Sequence, residues 1–242
     1  MFSVTRSANV LPPDSSYASL AELNAAAIKC EFCPRLRKYC QKIAKEKRRQ
    51  FKDWTYSGKP LPGFGDPKAR LLILGLAPAA HGGNRTGRMF TGDGSARFLM
   101  PALHRFGFAN QPTSEKIDDG LVLKDAYMTA IVRCAPPKNK PSRREIETCR
   151  RYWTRELDLL ANLRVVLALG RLAFDTYVQF LRTQGIETSS YRFGHASFFK
   201  LPDPYPALCA SYHPSRQNTQ TGKLTVKMFD NVFQEIRAYL AK

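Results

Sequence analysis

Four short apolar runs, set apart by amphipathic segments, constrain most what this chain can fold into. Residues 70–76, 126–133, 165–169 and 207–212 are too short for buried helices and too continuously apolar for strands with one wet face. They read as strands buried on both sides. Between and after them, apolar residues recur at helical spacing: Phe98, Leu99, Ala102, Leu103 and Phe106; then Ile146, Cys149, Trp153, Leu157 and Leu160. Phe174, Tyr177, Val178 and Leu181 form a third set, and Phe229, Val232, Phe233, Ile236 and Leu240 close the chain. Buried strands alternating with such helices predict an α/β fold. The expected architecture is a single domain with a four-stranded parallel sheet flanked by helices on both faces. The chain of 242 residues is long enough for one such core.

Ligands of an open parallel sheet bind beyond the carboxyl ends of its strands. Three of those ends carry unusual loops, at 75–93, 134–141 and 213–218. Ahead of the first strand, Leu20, Leu23 and Ala27 share a helical face from Ser19 onward. A basic helix is expected over about 36–54, with seven Lys or Arg between Lys38 and Lys52. Residues 1–17 read as a loose lead-in, with no apolar core of a secretory signal.

Lys and Arg number 38 against 20 Asp and Glu, a formal net charge of +18. Such an excess favours a polyanionic partner, nucleic acid first. No apolar run is long enough to span a bilayer, so the expected location is cytoplasmic, associated with the nucleoid. In a reducing compartment the six cysteines do not read as three disulfides. Cys30 and Cys33 form a C-x-x-C pair, and Cys134 and Cys149 follow at a strand end and on the next helix. Four thiolates of this kind suit zinc or an iron–sulphur cluster. Cys40 and Cys209 read as core thiols.

The loops hold four motifs in order: Gly75-Leu76-Ala77-Pro78-Ala79, Gly87-Arg88-Met89-Phe90-Thr91-Gly92-Asp93, Arg133-Cys134-Ala135-Pro136-Pro137 and His213-Pro214-Ser215-Arg216-Gln217-Asn218. With Trp54-Thr55-Tyr56 and the Pro60–Gly65 stretch upstream, this series resembles the family 5 (B-type) uracil-DNA glycosylases, relatives of the iron–sulphur family 4 enzymes. The resemblance runs from about Cys30 to the C-terminus. It implies a 4Fe–4S cluster held by Cys30, Cys33, Cys134 and Cys149, and a DNA substrate containing uracil or other deaminated bases.

The same comparison implies roles for the loop residues. Gly75, Ala77, Pro78 and Ala79 would line the base pocket, and Phe90 would stack on a flipped base. His213 would donate a hydrogen bond to uracil O2, where negative charge develops as the glycosidic bond breaks. Family 4 has an acidic residue where this chain has Leu76, so Asp93, otherwise a helix N-cap by its position, is the nearest candidate to hold the attacking water. Asn139 would reach toward the base. Lys138, Lys140 and Arg88, with Lys59 and Arg85, would contact phosphates, and Ser215, Arg216, Gln217 and Asn218 would wedge into the duplex. Thr129 and Ala130 stand where the nearest families often carry Asn, which suggests a broader range including hypoxanthine and xanthine. No Lys lies in the pocket loops in a Schiff-base role, so the expected enzyme is monofunctional and acts as a monomer. The rival readings are a non-catalytic iron–sulphur or zinc module that binds damaged or single-stranded DNA, and a zinc RNA-binding protein.

Overall fold

The computed structural model describes residues 17–242. The lead-in expected over 1–17 lies, Tyr17 apart, outside the described residues. The four expected strands are all present: β2 (Leu71–Gly75), β3 (Ala126–Ala130), β4 (Val165–Leu169) and β6 (Ala207–Ser211), every residue of each buried. They pair in parallel in the order β3-β2-β4-β6. Two strands that periodicity cannot show, β1 (Phe64–Gly65) and β5 (Phe198–Phe199), add antiparallel edges to make a six-stranded sheet. Each is two residues long, too short for an alternating pattern to register.

Strand alternation divides the core in two. Leu72, Leu74, Val166 and Ala168 pack with Leu23, Cys149, Trp153 and Tyr177 on one face. That face carries α1 (Leu20–Ile28), α2 (Pro34–Glu46), α5 (Arg143–Leu159) and α6 (Arg171–Thr183). Leu71, Ile73, Val165 and Leu167 face the other way, onto Leu99, Leu103, Phe229 and Phe233 of α4 (Gly94–Arg105) and α8 (Val226–Leu240). One short helix, α3 (Gly83–Thr86), lies inside the 75–93 loop, and another, α7 (Arg216–Gln220), follows β6.

The basic helix expected over 36–54 stops earlier. It ends at Glu46, where Lys47 takes a left-handed conformation (φ 55°), and a 3-10 turn follows at Arg49–Phe51. Among the described residues no helix is long and apolar enough to cross a membrane.

Candidate active site

The three loops leave the carboxyl ends of the parallel strands β2, β3 and β6. Asp93 caps α4, its Oδ1 accepting from the Ala96 N–H at 2.9 Å. The other carboxylate oxygen lies over Gly82: a Cβ there would sit 2.2 Å from Asp93 Oδ2. Gly82 therefore has no side chain because the carboxylate occupies its space. Burial raises the Asp93 pKa, while the Ala96 and Ser95 backbone N–H groups and the charges of Arg85 and Arg97 pull it back. The capping bond to Ala96 uses one of the two carboxylate oxygens.

Phe90 has a left-handed backbone (φ 46°) that turns its ring back over the end of β2. A Cβ on Gly75 would lie 2.8 Å from the ring's Cζ. Ala77 and Ala79 are partly buried beside it and Pro78 is buried, with the Ala79 carbonyl accepting from the N–H groups of Gly82 and Asn84.

His213 follows β6. Its carbonyl accepts from the Ser215 N–H and from Asn218 Nδ2, both at 2.8 Å. Burial lowers its pKa to about 4, so the imidazole is neutral at physiological pH. Asp93 and His213 are crowded by protein yet partly accessible, as side chains lining a cleft are. Sequence reasoning missed His195, which sets the backbone just before His213. Its Nδ1 accepts from the Tyr212 N–H at 3.3 Å, so the proton is on Nε2, which donates to the Met228 carbonyl at 3.2 Å. The ring also stacks on Tyr212. No motif marks it, because its partners are distant in sequence.

The 213–218 segment is not an open loop. Ser215 Oγ caps α7 by accepting from the Asn218 N–H, and Asn218 spends its amide on His213. Arg216 and Gln217 are exposed, and the Arg216 side chain crosses Gly94, next to Asp93. In the 134–141 loop, Lys138, Asn139 and Lys140 are exposed. Lys138 and Asn139 adopt left-handed φ angles of 54° and 55°. Arg35 holds this loop, donating to the Lys140 carbonyl and pairing with Glu145 at 2.6 Å. No hydrogen bond joins Asn139 to Asp93 or His213 among the described residues.

Two expected phosphate contacts do not hold. Arg88 is 4% exposed; its guanidinium pairs with Asp119 at 2.8 Å and bonds Thr91 and Ser114 hydroxyls. Arg85 is 2% exposed, lies 4.0 and 3.9 Å from the ring centroids of Phe51 and Trp54, and donates to the Gly92 carbonyl. Both are interior cations that tie the 75–93 loop together. Their local sequence carries no sign of this, because the partners lie in other segments. Lys59 remains exposed.

Cys30, Cys33, Cys134 and Cys149 line one pocket, with Arg37 and Arg133 at its wall. The Arg133 N–H donates to Cys149 Sγ at 3.3 Å. Burial pushes the Cys149 thiol up to about 12, partly offset by the Arg133 charge, and burial with the neighbouring Cys30 raises Cys33. Cys209 is a core thiol as expected. Cys40 is buried too, but it lies beside Cys134, close enough for their side chains to hydrogen-bond. Among the described residues no three His, Cys, Asp or Glu side chains are placed to hold a single ion. The strand end and helix that carry Cys134 and Cys149 are tied by a fully buried pair, Arg133 Nη2 to Glu156 Oε1 at 2.6 Å.

The model of the uracil DNA glycosylase superfamily matches residues 62–237, which include the whole parallel sheet and all three loops. The type-5 uracil-DNA glycosylase of Thermus thermophilus is 48% identical over 208 residues, 86% of this chain and 92% of that protein. The chain belongs to the uracil-DNA glycosylase superfamily, in its type-5 branch. The type-5 uracil-DNA glycosylase of Mycobacterium bovis is 46% identical over 90% of this chain and 81% of its own length. That of Pyrobaculum aerophilum is 41% identical over 87% and 89%. These family spans include the Gly75, Asp93 and His213 loops, where the superfamily fold exposes its strand ends.

Proposed function

We propose that this type-5 glycosylase excises uracil from DNA, and hypoxanthine and xanthine through the same cleft, leaving an abasic site. The observation that carries this reading is that Asp93, Phe90 and a neutral His213 all lie on loops beyond the carboxyl ends of the sheet, with Phe90 folded over Gly75 and Arg216 of the His213 segment crossing Gly94.

A base inside the stack is unreachable, so the nucleotide must be extruded. Phe90, folded over Gly75, offers a ring face to it, with Gly75, Ala77, Pro78 and Ala79 as the pocket floor. As the glycosidic bond lengthens, negative charge gathers on the base and positive charge on the sugar. The neutral His213 imidazole donates its N–H to O2 and needs no proton transfer to stabilise that charge. Asp93, with one oxygen held by the Ala96 N–H, keeps the other to orient water toward C1′. Thr129 and Ala130, both buried at the end of β3, offer no amide to read one base edge, in keeping with a broader range. Lys138, Lys140, Arg216 and Gln217 stand exposed to meet the backbone and the duplex gap, with Asn139 between the two lysines. Ser215 and Asn218 act instead by holding that turn and His213. The chemistry is complete in one chain, so a monomer suffices.

The cysteine pocket fits a 4Fe–4S cluster. All four donors are thiols, and two buried arginines offset anionic charge at the wall. Cys30, Cys33, Cys134 and Cys149 would hold the cluster. Bound there, it would supply cross-links that brace the 134–141 loop, which Cys134 opens and which the helix carrying Cys149 follows.

Duplexes containing one uracil, hypoxanthine or xanthine, cleaved with alkali after incubation, test the reading. Wild-type release of each base, with losses on the order of 10²–10³ in His213→Ala, is the expected result. Tight binding without release of any base would select a non-catalytic module instead.

A further inference from the structure

The catalytic site makes no use of the seven cations between Lys38 and Lys52, nor do they belong to the cysteine pocket. The α2 helix buries Leu36, Arg37 and Cys40, and turns Lys38, Lys42 and Lys45 to solvent at the i, i+4, i+7 spacing of a single face. Arg48, Arg49 and Lys52 continue the exposed run beyond the helix. Among the described residues, only Lys42 of these seven has a carboxylate partner, the exposed Glu46 at 3.7 Å.

This arrangement works against the helix that carries it. Like charges four apart repel, and Arg35, Arg37 and Lys38 sit in the first turns, where the helix dipole favours anions. The segment is nevertheless fastened to the catalytic loop at several points. Asn84 Nδ2 donates to the Cys40 carbonyl, and the Ser57 and Gly58 N–H groups donate to the carbonyls of Arg85 and Asn84. The Tyr56 hydroxyl meets His81 Nδ1 at 3.0 Å. Arg85, packed against the edge-to-face rings of Phe51 and Trp54, reaches the carbonyl of Gly92, the neighbour of Asp93. A charged helix serving solubility alone would need no such fastening.

We propose that Lys38, Lys42, Lys45, Arg49 and Lys52 form a second contact surface for the DNA backbone, gripping phosphates outside the extruded nucleotide while Arg85 ties that grip to the Asp93 loop. The partner is a nucleic-acid backbone, because repeated cations pair with phosphates and carry no sequence information. The inference rests on the DNA-excision reading above.

The test compares the whole protein with a Lys38→Gln/Lys42→Gln/Lys45→Gln variant, glutamine being a comparable helix former. A Lys227→Gln variant, on the exposed side of α8, gives the effect of one charge lost away from α2. Affinity for uracil-containing duplex is measured against salt, with KM and kcat for excision alongside. Each lost phosphate contact removes about 0.9 from the slope of log affinity on log salt, so the triple variant should lose up to about 2.7. The loss should fall on KM and shrink on duplexes that end close to the lesion. An unchanged slope in the folded variant, or an equal loss from Lys227→Gln, overturns the proposal and points to a different partner for this face. Absent excision by the wild type would instead overturn the underlying reading.

Discussion

The Asp93 carboxylate occupies the space that a side chain on Gly82 would need, with Oδ2 only 2.2 Å from an ideal Cβ. A methyl group at residue 82 must push the carboxylate aside or open the loop. Gly82→Ala should therefore slow single-turnover uracil release by about tenfold or more, the scale of a small misplacement at a reacting centre. A wild-type rate in Gly82→Ala would show that the carboxylate position does not matter.

His213 is held through its backbone rather than gripped by its ring. Asn218→Ala removes the donor to the His213 carbonyl and His195→Ala frees the preceding Tyr212 N–H. Each lost hydrogen bond is worth about 1 kcal/mol, or roughly fivefold. We expect kcat to fall by that much in each variant while DNA affinity holds. A fall in affinity with intact kcat would return Asn218 to a direct DNA-contacting role.

Burial lowers the His213 pKa to about 4, below its unfolded value near 6.5. Between those values the unfolded chain binds a proton that the folded one refuses. Stability tied to this group is thus intact above about pH 6.5 and is lost progressively toward pH 4. His81 and His195, also lowered by burial, add to the same trend. Chemical denaturation across this range should show a shallower acid loss in His213→Ala than in the wild type. Excision itself should show no acid limb near pH 6.5 from this residue; a limb there that vanishes in the variant would count against a neutral imidazole.

Arg88 should behave as a structural residue. Burial alone would raise the Asp119 pKa, but the hydrogen bonds from Arg88 and from the backbone of Glu115, Leu121 and Lys116 hold it below the usual range. Arg88→Met removes the charged partner of a part-buried carboxylate that keeps its backbone N–H donors, a loss of about 1–3 kcal/mol. Thermal unfolding should register that loss, with the salt slope of DNA binding unchanged in the protein that remains folded. A reduced slope without destabilisation would restore the phosphate-contact role.

The cysteine pocket makes a separable claim. Cys149→Ala should be purified without iron or brown colour, whereas Cys209→Ala, on the far face of the sheet, should keep both. Iron retained in Cys149→Ala would remove that residue from the ligand set.

The sheet and its helices were legible because each signal is local. Continuous apolar residues in 71–75 or 165–169 and the periodic face of 98–106 reflect what neighbouring residues must do to leave water. The capping site at Asp93 was legible for the same reason, as one polar residue before a helix. β1 and β5 were not, being pairs of residues recruited to a sheet edge by partners far along the chain. The end of the basic helix at Lys47 was hidden as well, since helix propensity continues through it and only packing of Phe51 and Trp54 around Arg85 bends the chain away.

The sequence by itself determined the parallel α/β core, the order of the loops at its strand ends and the cysteines and motif residues those loops carry. Only the tertiary structure decided which arginines stay exposed and which stay inside. Arg88 and Asp119 are 31 positions apart, and nothing near either one announces the other. The physical reason is the cost of burying a charge: an arginine enters the interior only where a distant acid or aromatic pair is brought to it. That meeting is a property of the fold, as is the crowding that makes His213 neutral.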